Sequence, residues 1–213
     1  MSRPDETIEP AEAGCRLMLI SPRQLDLRRI TKALDDALAV GGIAGFLLRL
    51  EPSDRDVVIA AAGAVRPLCT AHAVAFLLQD DVELALEIGA DGAHLGRDGD
   101  VAAARAALGP ERILGISCGT SRHAGMVAGE AGADYIAFGD PDRPPDAALV
   151  DLVRWWSGLF VLPCMAEGEI DADGCAVLKR AGADFLAVRE AVWAHPDGPG
   201  AAVERLQQAI ATA

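Results

Sequence analysis

The 213-residue chain has no excess of positive charge, no long apolar run and no closely spaced cysteine pair. Lysine and arginine number 19 against 32 aspartates and glutamates, and the formal net charge of −13 repels nucleic acid and anionic membrane, with no local basic patch to override it. The apolar runs stay well short of the roughly 18 residues that a membrane span needs. The opening stretch MSRPDETIEPAEAG is polar and acidic rather than a signal sequence, so the chain is expected in the cytoplasm. Cys15, Cys69, Cys118, Cys164 and Cys175 show no C-x-x-C spacing. Reduced, mostly buried thiols suit that scatter better than disulfides or a metal held by sulfur.

What the chain does have is apolar residue, 51% of it, enough for a sizeable core. Short runs rich in Val, Ile, Leu and Phe recur, and eight read as strands: Arg16 to Ile20, Phe46 to Leu50, Val74 to Leu78, Ala93 to Gly96, Ile113 to Ser117, Tyr135 to Gly139, Phe160 to Met165 and Phe185 to Val188. Helical spacing follows each run, as with Leu27, Ile30, Leu34 and Leu38, or with Asp171 as an N-cap ahead of Val177 and Leu178. Strict alternation demands a parallel sheet. Eight units close most naturally into a single-domain (β/α)8 TIM barrel over residues 15–213, after a flexible tail at 1–14, with a doubly wound open sheet as the alternative. Gly89-Ala90-Asp91, Gly132-Ala133-Asp134 and Gly182-Ala183-Asp184 each close a helical segment and lead into a strand. They read as structural punctuation, glycine supplying the left-handed residue that ends a helix.

In such barrels chemistry sits at the C-terminal strand ends. There, in LLQDDVELALEIGADGAHLG, the third run stops on two adjacent aspartates. One reading points a carboxylate of Gln79-Asp80-Asp81 into the mouth, where Mg²⁺ with oxygen ligands would hold a phosphorylated substrate. The other makes Asp80 and Asp81 simply the start of a helix, whose N-terminus favours negative charge. Composition and spacing leave both open.

LLQDDVELALEIGADGAHLGRDGD, AARAALGPERILGIS and GEAGADYIAFGDP resemble the thiamine-phosphate synthase family, whose pattern runs N-D-x-x-D-L-A, A-D-G-x-H-L-G-Q-x-D, G-x-S-x-H and G-A-D-Y-x-x-x-G-P. The resemblance extends from strand one to the last helix and is most specific from Asp80 to Gly139; the related thiazole tautomerase shares the barrel. It implies a (β/α)8 barrel that joins hydroxymethylpyrimidine pyrophosphate to thiazole phosphate, with Mg²⁺ on the pyrophosphate and loss of pyrophosphate before the thiazole nitrogen attacks.

Carried over position by position, the resemblance implies Arg49 and Ser117 as catalytic, Gln79, Arg97, Gly168 and Arg189 as substrate-binding, and Asp80 as a weak Mg²⁺ ligand. Several positions differ. Leu47 and Glu51 flank Arg49 where the family has Gln and Lys, Gly99 between Asp98 and Asp100 stands where it has a second metal aspartate, and Gly119 replaces its histidine, leaving His123 the nearest. The loop GDPDRPPD offers one cation, Arg143; Gly168 lies between Glu167 and Glu169; and Glu190 follows Arg189. A carboxylate about 4 Å from a phosphate oxygen costs on the order of 4 kcal/mol at an effective dielectric near 20. The expectation is therefore an impaired synthase, its mouth partly latched by salt bridges from Arg49, Arg97 and Arg189. A tautomerase-like isomerase and a barrel repurposed for another ligand are the alternatives. Trp155 and Trp156 are expected to pack helix six on strands or on a homodimer partner; His94 reads as a satisfied core group, and His72 and His195 as loop residues.

Overall fold

The computed structural model describes residues 14–23, 25–50 and 54–213. Most of the 1–14 tail, and Glu51, thus lie outside the described residues. The strands are β1 (Arg16–Ile20), β2 (Ile43–Leu48), β3 (Ala75–Gln79), β4 (Gly92–Leu95), β5 (Ile113–Gly119), β6 (Tyr135–Gly139), β7 (Cys164–Glu167) and β8 (Phe185–Val188). The helices between and after them are α1 (Leu27–Leu38), α2 (Arg55–Ala71), α3 (Val82–Glu87), α4 (Val101–Leu108), α5 (Arg122–Glu130), α6 (Ala147–Ser157), α7 (Ala172–Ala181), α8 (Glu190–Trp193) and α9 (Pro199–Ala211). Every strand pairs in parallel with its neighbours, and β8 returns to β1 with Leu17 opposite Leu186 and Leu19 opposite Val188, so the sheet is a closed (β/α)8 barrel. That closing pairing rules out the open sheet.

Helix starts are fixed locally. The side chains of Asp26, Asp81, Asp100, Ser121, Asp146 and Asp171 each accept a hydrogen bond from a backbone N–H in the first turn of the helix that follows, occupying a donor the helix itself leaves free. Each helix then buries one apolar stripe on the outside of the barrel, as with Ile30, Leu34 and Leu38 of α1, in the large core between sheet and helices. Inside the barrel a smaller core holds Met18, Ile20, Leu47, Leu77, Tyr135, Ala137, Met165 and Ala187. Room for the Tyr135 ring comes from Gly115 on β5, where a Cβ would collide with the phenol.

The Gly-Ala-Asp triplets build the barrel floor. Gly89, Gly132 and Gly182 have φ of 66°, 98° and 99°, the left-handed turn expected of a helix-ending glycine. The aspartates then do the same thing three times. Asp91 donates its N–H to the Phe76 carbonyl at 2.9 Å and accepts the Phe76 N–H on its carboxylate at 2.7 Å. Asp134 makes the same pair with Leu114 at 2.8 and 2.7 Å, and Asp184 with Cys164 at 2.9 and 2.8 Å. Each triplet thereby clamps the strand it enters to the preceding odd-numbered strand.

β3 and β4 are each displaced by one residue from the sequence expectation, β5 runs two residues longer, and β2 and β7 differ most. β2 starts three residues earlier than Phe46 and ends at Leu48, which leaves Arg49 just beyond the ladder. β7 begins at Cys164 rather than Phe160: Phe160 stacks on Trp156 at 4.1 Å between centroids, and Pro163 has no N–H to give a ladder. The strand consequently runs on to Glu167. Trp156 is buried, edge-on to Phe138 and donating to the Leu162 carbonyl, while Trp155 is covered by the Arg122 guanidinium at 4.3 Å. All five cysteines are free, and burial pushes their thiols up to about 12. Among the described residues no helix is long and apolar enough to cross a membrane.

Candidate active site

Strand alternation points one side chain in two inward, and toward the C-terminal end of this barrel the inward positions change from apolar to polar. The result is a continuous hydrogen-bonded chain across six strands. The Tyr135 hydroxyl (β6) meets His94 Nδ1 (β4) at 2.8 Å, His94 Nε2 meets Ser117 Oγ (β5) at 3.0 Å, and Ser117 Oγ reaches Glu167 Oε1 (β7) at 2.5 Å. Glu167 Oε2 accepts from Arg49 Nη2 at 2.9 Å, Arg49 Nε donates to Gln79 Oε1 (β3) at 2.9 Å, and Gln79 Nε2 donates to Asp80 Oδ2 at 3.0 Å. Asp80 Oδ1 accepts the Gly96 N–H. Arg49 itself is seated by Ser21, whose hydroxyl donates to the Arg49 carbonyl and accepts its N–H.

Proton directions follow from the groups. An ionised Glu167 can only accept, so Ser117 donates to it; the Ser117 oxygen then accepts from His94 Nε2–H, and the Tyr135 hydroxyl donates to His94 Nδ1. His94 is fully buried, and that burial lowers its pKa to about 4, which keeps the ring neutral in this tautomer. Burial alone would raise the Glu167 carboxyl, but the Arg49 guanidinium, the His94 ring and the hydrogen bonds from Ser117 and Arg49 outweigh it and hold the group below its ordinary value. Burial also pushes the Tyr135 phenol upward, so it stays a donor. No side-chain polar atom buried among the described residues lacks a partner.

The two aspartates after β3 divide the two readings between them. Asp81 is the N-cap of α3, accepting the Leu84 N–H at 2.8 Å. Asp80 is exposed at the rim with φ of 61°, a left-handed conformation rare outside glycine, and it ties the Gln79 end of the chain to β4. Beside it an open pocket of about 620 Å³ is lined by Asp80, Glu83, Gly96, Arg97, Asp98 and three alanines of α4. Among the described residues no three His, Cys, Asp or Glu side chains converge to hold a metal ion. Asp100 is committed to capping α4, and a Cβ on Gly99 would lie 2.6 Å from Leu95 Cβ, so Asp80 with Asp98 nearby is what the loop offers a cation. A single exposed carboxylate, its oxygens bonded to Gln79 and to the Gly96 N–H, fits Mg²⁺ that draws its other ligands from water and substrate phosphates.

The remaining sequence candidates fall into two further groups at the same rim. Arg97 is exposed, and its guanidinium lies against Gly119, whose φ is 56°; a Cβ there would come within 2.5 Å of Arg97 Nη2. The cation occupies the space a side chain at 119 would need. His123 is exposed in the first turn of α5 and takes no part in the chain. Arg189 Nη2 donates to Asp142 Oδ1 at 3.0 Å and to the Pro141 carbonyl at 3.4 Å, while Arg23 also binds Asp142, whose carboxyl these two arginines lower. Gly168 lets the loop after β7 close on the loop after β6: a Cβ there would be 2.9 Å from the Arg143 carbonyl, which accepts the Glu169 N–H at 2.9 Å. Of the latches anticipated, Arg49–Glu167 and Arg189–Glu190 form, the latter at 3.6 Å.

The sequence puts Glu167 after the end of strand seven, beside a phosphate position or latched to an arginine; the latch to Arg49 forms, but Glu167 is a strand residue, 2% exposed in its side chain and bonded to Ser117 as well. Its signal was the alternation Met165, Glu167, which puts both on the inner face. His94 is the core group expected, but it is also the link between Tyr135 and Ser117.

A closed parallel barrel with its polar groups gathered at the C-terminal rim defines the enzyme-bearing class of (β/α)8 proteins. The family model described as thiamine monophosphate synthase matches residues 17–192. The chain is 42% identical over 195 residues to the thiamine-phosphate synthase of Rhodospirillum centenum, covering 89% of this chain and 94% of the relative. It is 43% identical over 199 residues to that of Hyphomonas neptunium, with 88% and 90% covered. The thiamine phosphate pyrophosphorylase structure from Pyrococcus furiosus superposes with a TM-score of 0.80 at 25% identity, covering 92% of this chain and 96% of that one. The chain belongs to the thiamine-phosphate synthase family.

Proposed function

We propose that this chain condenses hydroxymethylpyrimidine pyrophosphate with thiazole phosphate to give thiamine phosphate and pyrophosphate, in the cytoplasm, and more slowly than a member with the full cationic grip. The observation that carries the reading is the convergence of Arg49, Gln79, Asp80 and Ser117, from the ends of β2, β3 and β5, in one hydrogen-bonded chain at the mouth. In it Arg49 donates to the departing pyrophosphate, Gln79 and Glu167 hold its aim, and Ser117 supports the leaving group by turning its one hydroxyl proton from Glu167 to the anion. Arg97, Gly168 and Arg189 line the rest of the anion-binding rim. Asp80 is the residue that would hold Mg²⁺, which when bound supplies positive charge to the pyrophosphate. The slow rate is supported by the neutralising Arg49–Glu167 pair and by Gly119, which has no side chain to offer; losing one preorganised donor typically costs about a hundredfold to a thousandfold. A homodimer through exposed Leu159 and Val161, after α6, is part of the proposal.

The test is to incubate the purified protein with both precursors, with and without Mg²⁺, and to follow thiamine phosphate. Product that requires Mg²⁺ and forms more slowly than with a family member that carries the full cationic motifs is expected. No product, together with no calorimetric binding of either precursor, would overturn the reading.

A further inference from the structure

Glu167 is the one acidic residue buried among the described residues, and it sits at the centre of the polar chain rather than at its edge. Its charge faces one cation. Around it are Arg49 from beyond β2, neutral Ser117 from β5, His94 from β4 and the Tyr135 hydroxyl behind His94, with Asp80 adding a further negative charge at the rim. Arg49 spends Nε on Gln79 and one Nη2 bond on Glu167. A guanidinium has five N–H donors, so donors remain for a ligand while the charge is already matched.

We propose that Glu167 is a positioning residue that acts through Arg49: it keeps the guanidinium aimed at the mouth while tempering its pull on the anionic end of a phosphorylated substrate, and on the pyrophosphate left behind. The assignment rests on the functional reading above and goes one step further, to how that anion is released. An incoming pyrophosphate meets an ion pair rather than a free cation, and the leaving anion is held less tightly for the same reason. At about 8 Å and an effective dielectric near 20, one unit charge changes affinity about thirtyfold.

The probe is inorganic pyrophosphate, titrated calorimetrically into the full-length protein and used as an inhibitor of turnover. Glu167→Gln keeps the shape and an acceptor for Arg49 but removes the charge. Pyrophosphate is expected to bind the variant about tenfold more tightly or better, with a matching fall in its inhibition constant. Weaker binding would mean that Glu167 only aims Arg49, and unchanged binding that the two are not coupled; either overturns the proposal. In an Arg49→Gln background the effect of Glu167→Gln should shrink to the direct repulsion between carboxylate and anion, because there is no cation left to temper, whereas a merely structural role would shift both backgrounds alike. If Glu167→Gln does not fold, Arg49→Gln alone decides. A loss of pyrophosphate affinity under about tenfold supports a tempered cation, and a larger loss overturns it. Pyrophosphate binding to none of these proteins would overturn the functional reading and this assignment with it, while equal binding by the parent and Glu167→Gln overturns this assignment alone.

Discussion

The two ends of the barrel are held by opposite means. At the floor one short motif is used three times, each Gly-Ala-Asp making the same two bonds to the strand before it, with donor and carboxylate only some 15 to 20 residues from the strand they clamp. At the mouth nothing repeats: seven different side chains and one backbone N–H make a single chain, and the key pair, Arg49 and Glu167, is 118 residues apart in sequence. The floor can lose one clamp and keep two. The mouth is a series in which each group satisfies the next, so removing a partner of buried Tyr135, His94 or Glu167 strands a polar group in an interior that water does not reach.

The sharpest break of that contrast is Arg49→Met. It leaves the Glu167 carboxylate without its cation, and breaking a buried ion pair from one side typically costs about 3–5 kcal/mol. Chemical denaturation at pH 7 should show a loss of that size. A loss below about 1 kcal/mol would mean that the mouth is no more tightly coupled than the floor.

The same contrast explains what was legible in the sequence. The runs at β1, β6 and β8 have the bounds that periodicity predicts, and the four apolar positions Leu27, Ile30, Leu34 and Leu38 all lie in α1, because each element is set by its own residues and by turn or capping residues beside it. β7 was misplaced because Phe160 is apolar for a different reason, stacking on Trp156 rather than entering the ladder. Arg49, Gln79, Asp80 and Ser117 were recognisable as rim residues since strand ends in a barrel point them there. Their partners were not. Alternation tells which face Glu167 occupies, but which side chain stands across the barrel depends on closure and register, and these are properties of the whole sheet.

Acid should separate the two ends next. His94 is neutral in the fold with its pKa lowered to about 4, while an unfolded chain binds a proton there near 6.5. Between those values the unfolded state holds the extra proton, so stability falls as pH drops from about 6.5 toward 4, by on the order of 3 kcal/mol in total. Glu167, held below its ordinary carboxylate value, adds a loss of the same sign at lower pH, as it is protonated away from Arg49. Denaturant midpoints across this range should fall in the parent and flatten in His94→Gln, which can still donate to Ser117 and accept from Tyr135. Parallel curves would remove the mouth as the source of acid sensitivity.

At the floor the expected losses are smaller and alike. Asp91→Ala and Asp184→Ala each leave a strand N–H without its acceptor, which costs about 1–3 kcal/mol. Asp134→Ala should lose the most of the three, since Arg105 also binds that carboxylate. None should alter pyrophosphate affinity more than twofold. A change there would show that floor and mouth are mechanically coupled.

The smallest effect is the most discriminating, because it compares neighbours. Asp81 caps α3 and Asp80 does not, although both follow the same strand. Asp81→Ala should cost about 1 kcal/mol, the usual worth of an N-cap. The charge itself lies outside the Arg49 chain, so pyrophosphate binding in the presence of Mg²⁺ should stay within twofold. Asp80→Asn should reverse the pattern. The amide can still accept from Gln79 or from the Gly96 N–H, and asparagine tolerates a left-handed φ of 61° at least as well as aspartate, so stability should change by less than about 0.5 kcal/mol. The carboxylate that would meet Mg²⁺ is gone, however, and the Mg²⁺-dependent part of pyrophosphate binding should go with it. If both variants lose stability and neither loses Mg²⁺ dependence, Asp80 only extends the helix cap, and the cation must enter beside Asp98 instead.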